Sequence, residues 1–477
     1  MNDDLLDAVV VGGGPAGLFA AWRLAVGGAR VALVEAGGGM RQSLCPRVTA
    51  RVRGQTVRPA EKFRLQCERC DCLTGLGGAA FHFDTNLGYV QGLSRSKIET
   101  DGHGGVRSYS GLERVFGDFA RAARAVDDVY RLMYGFGLPR VGGTALRAEQ
   151  QAVPATAPFA LADQAASQAI TVDDALGMVD ALTREAVDHG MRLYLGRRVD
   201  DVTDAPQGFT VRLADGSGAL TTRSVVLAVG KLGLDWLRPL LQRLGVAHRP
   251  SRKVDVGVRL ETDRDIAAPL TASCHNPKLT FINERDEPVR TFCVCEGGRI
   301  MQYEFAGTVV LDGQHCLTSP TQRTNFGIVS TVAVPETQDG TDHGIDFARR
   351  VNMAGAGLPV VQPLVELLGR GRVDAPVHSS LIRAAYTDLA AALGPQRVAD
   401  IEGMVDRLAA ILPDIVGPRT VVAAPVVEKV YPEIELSADM ASNRPGLYFA
   451  GDCSSKIIGV TYGAATGLAA ADAILRG

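Results

Sequence analysis

The stretch LDAVVVGGGPAGLFAAWRLAVGGARVALVE at residues 6–35 decides the fold. Leu6 to Val11, apolar except for Asp7, reads as a buried parallel strand. Gly12-Gly13-Gly14-Pro15-Ala16-Gly17 follows and fits G-x-G-x-x-G. A helix opened by Pro15 and Ala16 should run to about Ala25, with Gly27-Gly28 as its stop. A second strand then ends in Glu35, 23 residues after Gly12. This is a complete β-α-β unit for an ADP moiety. Gly12 permits the tight turn, Gly14 lets backbone approach a pyrophosphate, and Gly17 lets helix and strand pack closely. The helix N-terminus faces the phosphates, and Glu35 is placed to accept from ribose hydroxyls.

The far end of the chain selects FAD over NAD. Residues 446–473 read GLYFAGDCSSKIIGVTYGAATGLAAADA. A strand runs into Gly451-Asp452, and a small-residue helix follows Gly459-Val460. FAD proteins of the glutathione-reductase type end in this way. The aspartate binds a ribityl hydroxyl, and the helix N-terminus points at the flavin. Between the two ends, Thr171 to His189 reads as an amphipathic helix, Met191 to Val202 as a strand near the adenine at Val199, and Arg223 to Val229 as a strand ending at Gly230. No second complete G-x-G-x-x-G unit occurs; Gly355-Ala356-Gly357 lacks a preceding strand, and Pro359 follows. NADH or NADPH, if used, is therefore expected as a transient reductant without a domain of its own.

Composition bounds the remaining classes. A chain of 477 residues, 46% apolar, is a folded protein of more than one structural unit. A net charge of −3 without a basic block argues against nucleic acid. No apolar run has the roughly 20 residues of a membrane span. The acidic N-terminus lacks the basic flank of a signal peptide, so a cytoplasmic location is expected. Nine cysteines are then expected as free, catalytic or metal-bound thiols rather than structural disulfides.

Four motifs in order resemble the bacterial and archaeal family of NAD(FAD)-utilising, FAD-dependent dehydrogenases. These are relatives of glutathione-reductase-type, fumarate-reductase-type and geranylgeranyl-reductase-type flavoproteins. The motifs are Cys67, Cys70 and Cys72 followed by LTGLGGAAFHFDTN; Asp255-Val256-Gly257-Val258-Arg259-Leu260-Glu261; Phe292-Cys293-Val294-Cys295-Glu296-Gly297-Gly298; and Thr324-Asn325-Phe326-Gly327. Phe83, Asn86 and Glu296 depart from the family's serine, lysine and proline, so chemistry that depends on that lysine does not carry over. The resemblance implies a Rossmann-type FAD-binding α/β domain with an inserted mixed β-sheet substrate domain and a helical cap. The expected division is 1–110, 168–250 and 420–477 for the FAD domain, 111–167 for a helical excursion and linker, and 251–419 for the substrate and cap domain.

Within that frame the stretch CERCDCLTGLGGAAFHFD at 67–84 is read first as a cofactor loop. Gly75, Gly77 and Gly78 suit a passage beside the flavin, where side chains would collide. His82 could then move a proton, and Asp84 could orient it or bind substrate. The cysteines could be buried thiols, a redox pair, or metal ligands with Cys45 or with Cys293 and Cys295; their irregular spacing gives an expectation of no metal. Arg290, near Cys293, could clamp a substrate carboxylate, against the alternative of an ordinary ion pair. The expected activity is hydride transfer between FAD N5 and a small-molecule C–C, C–N or C–O centre. The alternatives are an oxidase or monooxygenase using O2, and a structural FAD. The aromatic-hydroxylase option is weakened because Gly451-Asp452-Cys453-Ser454-Ser455 stands where those enzymes carry GDAAH. Oligomeric state is not legible.

Overall fold

The computed structural model describes residues 5–43, 73–81, 85–88, 97–100, 106–109, 111–140, 159–163, 167–272, 276–317, 320–376, 378–454 and 457–477. Strand β1 (Leu6–Val11) divides its side chains between two cores: Ala8 and Val10 face one, Val9 and Val11 the other. A strand buried on both faces needs this nearly continuous apolar run. Helix α1 (Pro15–Val26) follows, and then β2 (Val31–Glu35), parallel to β1 with Val9 opposite Ala32.

The helical excursion expected from residue 111 opens with two helices. Gly117 adopts φ +73°, a conformation that ends the first, and Asp118 caps α2 (Phe119–Gly135) by accepting from the Ala120 and Arg121 N–H groups. Helix α3 (Val172–Asp188) begins in the expected place, with Thr171 and Asp174 forming a reciprocal capping box. The strand expected over 191–202 is divided by Gly196 at φ +65°. Strand β3 (Arg192–Leu195) pairs with β2, whereas β4 (Val199–Ala205) forms an antiparallel hairpin with β5 (Gly208–Leu213). Strand β6 (Ala219–Leu227) then lies parallel to β1, and α4 (Leu234–Arg243) packs Leu237, Leu240 and Leu241 on the adjoining core.

A second sheet begins with β7 (Lys253–Asp263). In chain order it continues with β8 (Lys278–Ile282) and β9 (Pro288–Cys295); a separate two-stranded hairpin, β10 (Arg299–Phe305) and β11 (Thr308–Gln314), follows before the sheet resumes with β12 (Arg323–Ala333). Helix α5 (Gly340–Ala354), β13 (Val360–Pro363), helix α6 (Pro395–Leu408) and β14 (Val421–Glu428) complete it. The order β13-β14-β7-β12-β9-β8 is antiparallel throughout, and Leu161–Asp163 is added beyond β8. Residues 421–428 therefore belong to this sheet through the β7–β14 ladder, beyond the boundary expected at 419, and 161–163 is a strand of it rather than linker. The even-numbered residues Val254, Val256, Val258 and Leu260 share a core with Ile345, Phe347 and Met404 of the covering helices.

The chain returns to the first sheet through β15 (Leu447–Phe449), parallel to β6, and ends in α7 (Val460–Arg476). Helices α1 and α7 meet at backbone distance: a Cβ on Gly467 would lie 2.0 Å from the Ala16 carbonyl oxygen. Gly467→Ala is expected to part the helices and cost about 1–3 kcal/mol, read as a lowered denaturation midpoint. An unchanged midpoint would contradict this close packing. The fold is thus mixed α/β: a first sheet whose β3, β2, β1, β6 and β15 pair in parallel and which β5 and β4 extend antiparallel, with a second sheet domain. No helix among the described residues is long and apolar enough to cross a membrane.

Candidate functional site

The Gly12–Gly17 turn is shaped by two distinct demands. Gly12 sits at φ +104°, where a Cβ would be 2.4 Å from the Ala228 oxygen, and a Cβ on Gly17 would be 1.9 Å from the Gly12 oxygen. Those two glycines serve the fold. Gly14 has φ −70°, and its nearest neighbour for a Cβ would be the Gly78 Cα at 3.8 Å. The fold would tolerate a side chain there, so internal packing does not explain the glycine, whereas the close approach of a ligand does. Gly14 is also the N-cap of α1 and supplies no side-chain cap. The first-turn N–H groups, including those of Ala16 and Gly17, are thus left for an anion.

Glu35 is buried and ties three loops together. One carboxylate oxygen accepts from Gly13 N–H at 2.6 Å; the other accepts from Gly37 and Gly75 N–H at 2.7 and 3.0 Å. The role foreseen for Glu35 toward ribose is joined by this structural one. Gly77 N–H donates to the Gly13 carbonyl at 2.8 Å, and a Cβ on Gly78 would lie 2.7 Å from the Gly14 Cα. Gly75, Gly77 and Gly78, all at positive φ, are brought directly onto the dinucleotide turn. His82 and Asp84, with Cys45, Cys67, Cys70 and Cys72, lie outside the described residues.

The C-terminal elements close on the same turn. A Cβ on Gly451 would be 2.9 Å from that of Ala16, and Gly451 N–H donates to the Thr466 hydroxyl at 2.9 Å. Gly459, at φ +122°, gives α7 no side-chain cap. In that helix's first turn, after Val460, the buried Thr461 hydroxyl has no partner among the described residues. An uncapped helix start with such a buried hydroxyl is a polar cradle that no described group fills. The residues present therefore fit a dinucleotide cofactor at both ends of its length. Val199 is buried at the start of β4, opposite Leu213, and Gly230 at φ +61° follows β6.

Gly230 leads into Lys231, a residue the sequence reading did not single out. Its ammonium donates to the Tyr303 hydroxyl at 2.8 Å, the Val427 carbonyl at 2.7 Å and the Glu428 carboxylate at 2.9 Å. Lys231 thus ties the segment after β6 to the β10 strand of the hairpin and to β14 of the second sheet. Burial works against its charge, but Glu428 and Tyr303 more than offset this and raise its pKa. Burial, reinforced by the Glu428 carboxylate, pushes the Asp452 carboxyl up to about 7, although Lys231 opposes the shift. Asp452 is therefore a proton-holding group near neutral pH, on the element where the two sheets meet.

Strand β7 carries the second feature. Its odd-numbered Asp255, Arg259 and Glu261 are all 0% exposed. Asp255 is held between Arg290 at 2.5 Å and Lys429 at 3.0 Å and accepts from the Thr331 hydroxyl at 2.6 Å. Of the two readings of Arg290, a clamp for a substrate carboxylate and an ordinary ion pair, the structure shows an ion pair with Asp255. Arg259 donates through Nε to Asn325 at 2.7 Å and through Nη2 to the Cys293 carbonyl at 2.6 Å, with Asp312 at 3.4 Å. The alternation of polar residues through a buried strand was legible in Asp255–Glu261. The participation of Lys231 and Asp312 was not, because long-range pairing assembles them.

Residues 7–45 match the family described as FAD binding domain. No curated protein matches the sequence. Among solved structures, NikD, an unusual amino acid oxidase essential for nikkomycin biosynthesis, is 14% identical with a TM-score of 0.40 and coverage of 98% of this chain and 95% of that chain. A flavoprotein/dehydrogenase from Cytophaga hutchinsonii is 12% identical with a TM-score of 0.38, covering 99% and 78%. Glycine oxidase from Geobacillus kaustophilus is 18% identical with a TM-score of 0.36, covering 99% and 95%. These similarities assign no activity to the chain.

Proposed function

We propose that the protein is an FAD-dependent oxidoreductase that passes a hydride between FAD N5 and a C–C, C–N or C–O centre of a small molecule. NADH or NADPH would serve as a transient reductant. One observation carries the reading: the Gly12–Gly17 turn and the Gly451–Asp452 segment, about 430 residues apart in sequence, converge on Ala16. Bound FAD would supply a two-electron acceptor or donor at N5. The first-turn N–H groups of α1 would hold its pyrophosphate, Glu35 its ribose and Asp452 a ribityl hydroxyl.

Hydride transfer to or from such a centre is accompanied by movement of a proton. Asp452, with its carboxyl raised to about 7, can hold a proton at neutral pH and release it slightly above. Lys231 stays charged and fixes the Tyr303 hydroxyl and the Glu428 carboxylate beside the junction. His82, by its place in the sequence after the glycine loop, is the second candidate for proton transfer.

The decisive experiment is an absorption spectrum of the purified protein with one FAD per chain, followed anaerobically on addition of NADH, NADPH and a panel of amines and hydroxy acids. Bleaching of the flavin bands by one of these, with product formed, is expected. Protein that fails to bind FAD would refute the reading. A flavin that no member reduces would favour a structural FAD, and reoxidation by O2 with stoichiometric peroxide would favour an oxidase. Asp452→Asn supplies a finer check. It is expected to keep FAD and to remove the limb near neutral pH from the rate profile; an unaltered profile would exclude Asp452 as the proton carrier.

A further inference from the structure

The end of β9 and the segment just past β11 bring together three donors that the sequence separates. Cys293 Sγ lies 3.7 Å from Cys295 Sγ, and Cys295 Sγ lies 3.7 Å from His315 Nε2. All three donor atoms fall within 4.8 Å of one another. Cys295 is 0% and His315 9% exposed, while Cys293 is only half-buried. Zinc binds thiolate sulfur at about 2.3 Å and imidazole nitrogen at about 2.0–2.1 Å. A tetrahedron on those bonds has S···S edges of about 3.8 Å and S···N edges of about 3.6 Å. The two sulfur separations, 3.7 Å each, match these edges.

We propose that Cys293, Cys295 and His315 form a binding site for one thiophilic divalent cation, zinc by its donor chemistry, clasping the end of β9 to the end of β11. Two thiolates and an imidazole are the donors that select zinc over magnesium or calcium. Two thiolates also neutralise the divalent charge. The surroundings fit. Cys293 adopts φ +46°, a strained conformation for a non-glycine residue, and this holds it beside Cys295. Its carbonyl is fixed by Arg259 Nη2 at 2.6 Å, and the same nitrogen lies 3.8 Å from Cys295 Sγ. Asn325, opposite Cys295 in the β9–β12 ladder, is fully buried, and its amide nitrogen has no acceptor among the described residues. Small residues make the room: a Cβ on Gly313 would be 2.6 Å from Cys295 Sγ. Three protein donors leave a fourth corner for water or a small ligand on the side where Cys293 is exposed.

The site stands apart from the flavin reading, and its test does not need turnover. The FAD-bound protein, stripped with a chelator, is titrated with zinc chloride against a chromophoric chelator that absorbs to the red of flavin. One zinc per chain is expected, bound at least ~100-fold more weakly by Cys293→Ser, Cys295→Ser and His315→Ala. On the wild type alone, zinc is also expected to raise the melting temperature and to shield two thiols from a thiol reagent, so the result survives a variant that fails to fold. Wild-type protein that takes up no stoichiometric zinc would overturn the site. So would zinc retained by all three variants, zinc lost instead on replacing Cys67, Cys70 and Cys72, or a Cys293–Cys295 disulfide formed by a mild oxidant in protein that binds no zinc.

Discussion

Gly14→Val is expected to fold normally and to lose FAD. The folded chain accepts a Cβ at this position, because the nearest atom would be 3.8 Å away and the φ of −70° suits any L-residue. The extended ψ of −178° is one that a β-branched residue adopts readily. Loss of the glycine N-cap should cost at most about 1 kcal/mol. The pyrophosphate, in contrast, has to come within contact distance of this backbone to reach the first-turn N–H groups of α1. Two methyl groups in that path should weaken FAD binding by at least ~100-fold, equal to about 2.7 kcal/mol. Gly17→Val is the contrasting variant. Its Cβ would be 1.9 Å from the Gly12 oxygen, so it should fail to fold rather than fold without cofactor. FAD content after gel filtration, read with far-ultraviolet circular dichroism, separates the two outcomes. A Gly14→Val protein that stays fully yellow would remove the dinucleotide assignment.

The same pair of glycines shows how far the sequence could be read. The turn, helix and second strand at 6–35 lie in one local unit, so strand period, helix stop and terminal acid could be recognised without knowing what packs on them. The C-terminal Gly451-Asp452 segment was equally local. What escaped was set by distant pairing. Glu35 has no local signature for binding Gly75 N–H, which reaches it only because the glycine loop folds back onto the turn. His315 follows Cys295 by 20 residues and meets it only through the β10–β11 hairpin. Residues 421–428 read as the start of the returning nucleotide domain, yet their ladder to β7 makes them part of the second sheet. Arg290 was recognised as an arginine seeking a carboxylate, but the register of β9 on β12 and of β7 on β12 places Asp255 within its reach.

That last pairing carries a large expected change in stability. Asp255 is a fully buried carboxylate facing Lys429 and Arg290 and accepting from Thr331. Asp255→Asn keeps the size and removes the charge, leaving two cations in the interior without their shared partner. Breaking a buried ion pair from one side costs about 3–5 kcal/mol, read as a shift of the denaturant midpoint at neutral pH. The pH dependence distinguishes lost charge from lost packing. Burial alone would raise the Asp255 pKa, but Lys429, Arg290 and the Thr331 hydroxyl bring it down to about 2, below the unfolded value of 3.8. A carboxyl depressed in the folded state contributes stability that is fully present above about pH 4 and is lost as pH falls toward about 2. The shift corresponds to about 2–3 kcal/mol. The wild type should therefore lose this increment between pH 4 and pH 2, while Asp255→Asn, which has no carboxyl to protonate there, should not. The difference between the two proteins is expected to be widest at neutral pH and to narrow on acidification, with unfolding followed at fixed salt and without added FAD. A gap that stays constant across that range would show that Asp255 acts through shape and hydrogen bonding alone, and that the charge between Arg290 and Lys429 contributes nothing to holding β7, β9 and β14 together.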